Sequence, residues 1–219
     1  MDWASIDWAE IARETKQTLI MLGLSTLFTF IIGLPMGILL YLTTKGNLLQ
    51  NRAVNLIISF IVNVLRSVPF VVLMVALIPL TKLMVGTSMG VKGTIPPLVI
   101  AAAPFFARLV ETALREVDRG VIEAAQSMGA GRAQIVLRVL LPESLPGLIA
   151  GITITTVTLV SYTAMSGMIG GGGLGDLAIR YGYQRFQTEV MIATVLILII
   201  LVQVLQMVGD RLVLRFIRK

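Results

Sequence analysis

Apolar residues dominate five stretches of the chain: Thr18 to Leu42, Val54 to about Leu83, Ile95 to about Leu114, Leu145 to about Met165, and Val190 to about Val208. Polar and charged residues are swept into the connections between them. A helix that crosses a bilayer needs about 20 mainly apolar residues, because lipid offers no partner to an unpaired backbone group. The pattern therefore predicts an all-α integral membrane protein with five transmembrane helices. It divides the chain into an N-terminal segment 1–17 outside the membrane or at its interface, a membrane domain 18–210 containing a polar connection 118–146, and a basic tail 211–219.

The second stretch is too long for one straight crossing. Its middle reads Arg66-Ser67-Val68-Pro69. An arginine at the centre of a span costs about 3 kcal/mol on insertion scales, and proline removes a helix donor and favours a bend. The two together predict a broken helix whose guanidinium faces a subunit contact or a polar cavity. The plainer alternative is a slanted helix with Arg66 reaching toward the head groups.

Charge sets the expected orientation. With the C-terminus in the cytoplasm, eleven basic residues (Lys45, Arg52, Arg108, Arg115, Arg119, Arg132, Arg138, Arg211, Arg215, Arg218, Lys219) fall inside and six (Arg13, Lys16, Lys82, Lys92, Arg180, Arg185) outside. The positive-inside rule then puts the N-terminus outside. The net charge of +6 reports topology and contact with anionic lipid, so no nucleic-acid partner is called for. Residues 1–17 are too acidic to open a secretory signal. Trp3 and Trp8 suit either a short interfacial helix or a solvated terminus.

Composition narrows the chemistry. Charged residues make up 14% of the 219, against about a quarter in soluble domains. Cysteine and histidine are absent, which removes the commonest metal ligands and the usual general base; no catalytic or metal site is expected. Gly170-Gly-Gly172-Gly-Leu-Gly175 matches G-x-G-x-x-G in form, but it follows an apolar helix rather than a strand, so it reads as a helix-ending turn. No G-x-x-x-x-G-K-[ST] loop occurs. If ATP drives this protein, another chain binds it.

The fourth span carries Thr153, Thr155, Thr156, Thr158, Ser161, Tyr162, Thr163 and Ser166. Thr155, Thr158, Tyr162 and Met165 follow at steps of three, four and three and share a helix face. They are the candidate passage lining and gate; hydrogen bonding between helices is the alternative use of such hydroxyls. Gly33 with Gly37, and Gly147 with Gly151, are spaced for close packing of helices, within the chain or at a subunit interface.

The most patterned segment is the third connection: Glu123-Ala124-Ala125-Gln126-Ser127-Met128-Gly129-Ala130, then Val139-Leu140-Leu141-Pro142. It predicts a short helix stopped by Gly129 and an amphipathic basic stretch around Arg132 and Arg138. Two prolines, Pro142 and Pro146, then restart the chain. Small residues Ala124, Ala125 and Ala130 would let the helix press into a groove on a partner.

At these residues the chain resembles the permease subunits of ABC importers, whose loop reads E-A-A, three residues, G, nine residues, I, one residue, L-P. Glu123, Ala124, Ala125, Gly129, Leu141 and Pro142 fall in place, with Val139 for the isoleucine. Arg66-Ser-Val-Pro-Phe70, Ala103-Pro-Phe-Phe-Ala-Arg-Leu-Val-Glu111, Ser161-Tyr-Thr-Ala-Met165 and Tyr181-Gly-Tyr183-Gln-Arg-Phe186 are similar to the methionine-uptake branch. Ser161 stands for a glycine of that branch and Thr163 for a serine. The resemblance implies a type I ABC importer permease in a bacterial inner membrane, acting as a homodimer on two ATP-binding subunits that hold ATP and Mg, with no cofactor in this chain. Glu123 to Ala130 would be the coupling helix. A methionine-binding periplasmic protein or lipoprotein would dock on the loop 170–186, through Gly172, Gly175, Arg180 and Tyr183. Competing expectations are another small amino acid or betaine-like solute as cargo, an ion-coupled carrier, for which no internal repeat is found, and a non-transporting scaffold.

Overall fold

The computed structural model of the protein describes residues 6–216; Trp3, Arg218 and Lys219 lie outside them. Among the described residues α-helices form ten elements: α1 (Trp8–Thr43), α2 (Arg52–Ser67), α3 (Phe70–Ala76), α4 (Ile78–Val85), α5 (Gly90–Arg115), α6 (Arg119–Ser127), α7 (Arg132–Ile135), α8 (Leu141–Ser166), α9 (Gly173–Leu177) and α10 (Thr188–Phe216). No strand occurs among the described residues. Four helical runs are long and apolar enough to cross a membrane, and the pair α2–α3, bent by 105°, makes a fifth.

The helix that carries the first apolar stretch starts at Trp8, ten residues before Thr18. Asp7 accepts a hydrogen bond from Glu10 N–H at 3.0 Å and caps the helix. The charged residues that follow are paired along one face, Arg13 with Glu10 at 3.2 Å and with Glu14 at 3.4 Å. Residues 8–17 thus form the opening turns of α1, and Trp8 is exposed beside them.

α2 stops at Ser67, Val68 and Pro69 are extended, and α3 leaves at the steep angle. A proline donates no N–H and disfavours the helical conformation of the residue before it, which is the cause of the break. At its other end α2 is fastened to α1. Asn51 caps it through Ala53 and Val54 N–H, and Asn55 Nδ2 donates to Leu40 O at 2.9 Å.

The centre of the fold is the α1–α5 pair, the most extensive helix contact. A Cβ on Gly33 would meet Ala103 O and Phe106 Cδ1 at 2.9 Å; one on Gly37 would meet Ala107 O and Val110 Cβ at 2.5 Å. α8 reaches α5 the same way, Gly147 lying on Ala113 and Gly151 on Leu109. Both glycine pairs pack helices within one chain, as small residues do in lipid.

Pro142 and Pro146 do not restart the chain. α7 runs through a π-helical segment, Val136–Leu140, straight into α8, and the continuous run reaches Ile169. Leu141 N–H bonds Val136 O, five residues back. The wider turn relieves the clash that a proline ring makes with the carbonyl four residues before it, so the helix survives. α10 is largely unburied and exposes Leu196, Ile199, Ile200, Val204 and Leu214, as a lipid-facing helix does.

Candidate functional site: a capped loop helix, an open helix face and a glycine-rich turn

α6 hangs between the end of α5 and the start of α7. Asp118 caps it by accepting from Gly120 N–H at 2.7 Å. It closes at Gly129 (φ +78°), where Ala130 N–H bonds Ala125 O at 3.1 Å and Gly129 N–H bonds Gln126 O at 2.9 Å. These two bonds define a Schellman C-cap, and the left-handed φ is the reason for glycine there. The helix is Arg119–Ser127, so it starts before Glu123, and Met128 to Ala130 form its closing turn.

Its two faces differ. Glu123, Ala124, Gln126, Ser127 and Gly129 are exposed, as is Met128 at 82%. Ala125 is only 5% exposed and packs with Ile135, Leu140 and Tyr41, flanked by the partly buried Ile122 and Ala130. The expectation that all three alanines press into a partner is corrected accordingly. Ala125 and Ala130 seat the helix on its own protein, and Ala124 alone of the three stands outward. A cavity of about 420 Å³ lies between α6 and the turn at Gly46–Leu48, lined in part by Tyr41, Asn47, Arg119, Gln126 and Arg132.

On α8 the hydroxyls mostly bond backwards along the helix: Thr155 to Gly151 O at 2.8 Å, Thr156 to Ile152 O at 2.8 Å, Thr158 to Ile154 O at 2.9 Å. One also accepts from another helix: Thr26 Oγ1 of α1 donates to Thr156 Oγ1 at 3.4 Å. Thr155 is fully buried, so it lines no open space in this conformation; Thr158 and Tyr162 are half-buried and Met165 is exposed. The open stripe of α8 runs Ile154, Thr158, Ser161, Met165 and continues to Met168 in the 3-10 turn Gly167–Ile169, at steps of four, three, four and three. Ser161 and Met168 belong to it, and the spacing of the hydroxyls alone did not single them out. Tyr162 stacks on Phe70 with ring centres 4.3 Å apart, tying the break after α2 to α8.

The other end is closed by the glycine-rich turn. Glu14, 4% exposed, accepts from Gly173 N–H at 2.8 Å, and Thr18 Oγ1 accepts from Leu174 N–H at 2.9 Å. Gly173 has φ +81°, and a Cβ on it would lie 2.6 Å from Thr18 Oγ1. Gly175 is buried directly against the Ala164 backbone, so it is a packing residue with no surface to offer a partner. Gly172 is half-buried against Gln17. Arg180 is held by Asp176 at 3.1 Å and Glu10 at 3.6 Å. Tyr181 lies between Arg180 and Arg185, at 5.0 and 4.5 Å from its ring centre, while Tyr183 and Phe186 project freely. Glu14 carries no sequence signal of this role, because its partner is 159 residues away. Glu14→Ala is expected to lower the stability of this end by about 2 kcal/mol, the worth of a hydrogen bond to a charged group, read as a lower melting temperature and faster chymotryptic cleavage at Tyr183 and Phe186.

A model of the binding-protein-dependent transport system inner membrane component matches residues 33–219. The chain belongs to that family. It is a multi-pass protein of the inner membrane and a non-catalytic permease paired with a separate ATPase. Among similar inner-membrane components, the probable D-methionine transport system permease protein MetI of Vibrio cholerae is 52% identical over 213 residues, 97% of this chain and 95% of its own length. The methionine import system permease protein MetP of Bacillus subtilis is 49% identical over 206 residues, 94% and 93% of the two chains. A solved inward-facing structure of the MetNI methionine ABC transporter superposes with a TM-score of 0.95 at 47% identity, covering 96% of this chain and 98% of that one.

Proposed function

We infer that this chain is the permease of an ATP-driven methionine importer, working as a pair of copies on two ATP-binding subunits. The observation that carries the reading is α6: a doubly capped helix with Ala125 seated on the core and Glu123, Ala124, Ser127 and Met128 turned outward. Relatives about half identical over nearly the whole chain supply the cargo.

The geometry supports a lever. α6 rests through Ala125 on Ile135 and Leu140, which stand at the start of the continuous run Arg132–Ile169. A push on α6 from a closing ATPase is therefore delivered to the foot of α8. That helix carries it past Thr158 and Tyr162 to Met165 and the glycine-rich cap. The permease makes and breaks no covalent bond; it changes which end of the passage is open. ATP and Mg belong to the partner subunits.

The excess of basic residues at the α6 end supports a cytoplasmic docking side. The opposite end, with Gly172, the ion-paired Arg180 and the exposed Tyr183 and Phe186, is the proposed landing surface for a methionine-binding periplasmic protein or lipoprotein. The apolar faces of α10 meet lipid.

Uptake of labelled methionine by a deletion strain complemented with this chain and its ATPase tests the assignment. Uptake is expected to stop when ATP is depleted with the ion gradient preserved. Persistent uptake would overturn the ATP-driven reading, and stronger competition by a betaine or another amino acid than by methionine would replace the cargo.

A further inference from the structure

Arg66 occupies the last turn of α2, in the middle of the second apolar stretch, immediately before the 105° break. Its guanidinium lies 6.0 Å from the centre of the Phe105 ring and meets no carboxylate among the described residues. The other arginine on this side is treated differently. Arg108 is bound by Glu111 at 2.6 Å and by Asn63 at 2.9 Å, and Glu111 also holds Arg115. A charge within a span is expensive, and when kept it faces a polar path or a ligand. Arg66 is a charge in the middle of an apolar stretch with no ion pair among the described residues.

Its surroundings say what it faces. The α5 face that carries Ala103, Phe106, Ala107 and Val110 is covered by Gly33 and Gly37 of α1, and Leu109 and Ala113 by Gly147 and Gly151 of α8. Phe105, Arg108 and Thr112, at steps of three and four, form the remaining face, which is partly open. Arg66 and Asn63 border it from α2. The Phe70–Tyr162 stack joins the break to α8, whose open stripe includes Thr158 and Met165.

We propose that Arg66 reads the α-carboxylate of the amino acid in transit, with Phe105 beside it receiving the side chain. A guanidinium presents two parallel donors that fit a carboxylate, and a thioether packs favourably on an aromatic ring. Arg66 is exposed and Phe105 half-buried, which keeps the site weak enough for release. Phe105 holds the guanidinium in place between passages through cation–π attraction. The proposal rests on methionine being the cargo.

The test uses the permease–ATPase complex in nanodiscs and a diazirine analogue of methionine, with cross-links mapped by peptide mass spectrometry, beside methionine uptake into proteoliposomes with binding protein. Cross-links are expected on α2 and α5, displaced by methionine and not by methioninol, which lacks the carboxylate. Arg66→Gln is expected to lower labelling and uptake about tenfold, equivalent to about 1.4 kcal/mol, with Arg66→Lys intermediate. Labelling and uptake of Arg66→Gln within twofold of wild type overturn the site while leaving the cargo intact. A wild-type complex that imports no methionine overturns the cargo and the site together. If Arg66→Gln does not assemble with the ATPase, the wild-type map decides: cross-links outside α2 and α5 overturn the site.

Discussion

A complex carrying Ala124→Arg is expected to reach the membrane at the wild-type level, bind its ATPase at least about 30-fold more weakly and import almost no methionine. Ala124 is exposed on α6, with Glu123 beside it and Ser127 and Met128 within a turn. A long charged side chain there breaks no contact inside the chain, yet it stands in the middle of the surface proposed to enter the ATPase. Central residues of an interface commonly account for 2 kcal/mol or more, which is the affinity loss stated above. Ala125→Arg separates the explanations. Ala125 is 5% exposed in the cluster of Ile135, Leu140 and Tyr41, so a guanidinium there is buried without a partner, and the protein itself should be lost. Detergent-solubilised pull-down of the ATPase, with permease quantified by immunoblot, measures both. Equal ATPase binding by wild type and Ala124→Arg would remove α6 from the docking role.

Gly37→Leu carries the second large effect. Even the first carbon added at Gly37 would sit 2.5 Å from Ala107 O and from Val110 Cβ, and neither backbone nor a β-branched side chain can step aside. Three further carbons force α1 away from α5 along the pair that centres the fold. Overpacking of this kind costs about 3 kcal/mol or more. Most of the chain should fail to accumulate in the membrane, and what remains should aggregate on gel filtration. Gly23→Leu is the comparison, since nothing lies within 4 Å of a Cβ there; it should accumulate normally.

The five crossings and the break at Pro69 were legible in the sequence because each follows from local physics: a run of apolar residues, a missing donor, a restricted residue before proline. Gly129 as the stop of α6 was legible for the same reason, since a left-handed turn selects glycine. What could not be read locally was which side of an element meets which neighbour. Ala124 and Ala125 are equivalent in spacing, and only the position of Ile135 and Leu140 makes one inward and the other outward. Thr155 looked like a passage residue by its step along α8, but it faces the interior. Pro142 and Pro146 signalled a break that the π-helical segment ahead of them absorbs. Glu14 is one of several acidic residues in the N-terminal segment, and its partner is the backbone N–H of Gly173, 159 residues away along the chain. Each of these depends on tertiary neighbours distant in sequence.

The central claim is that this chain carries methionine only when an ATPase acts on α6. Proteoliposomes containing the permease, its ATPase and its binding protein, loaded with ATP or with a non-hydrolysable analogue, test it by labelled-methionine accumulation. Accumulation against a gradient with ATP, none with the analogue, and none with Ala124→Arg is the predicted result. Accumulation driven by an ion gradient without ATP, or undiminished in Ala124→Arg, would contradict it.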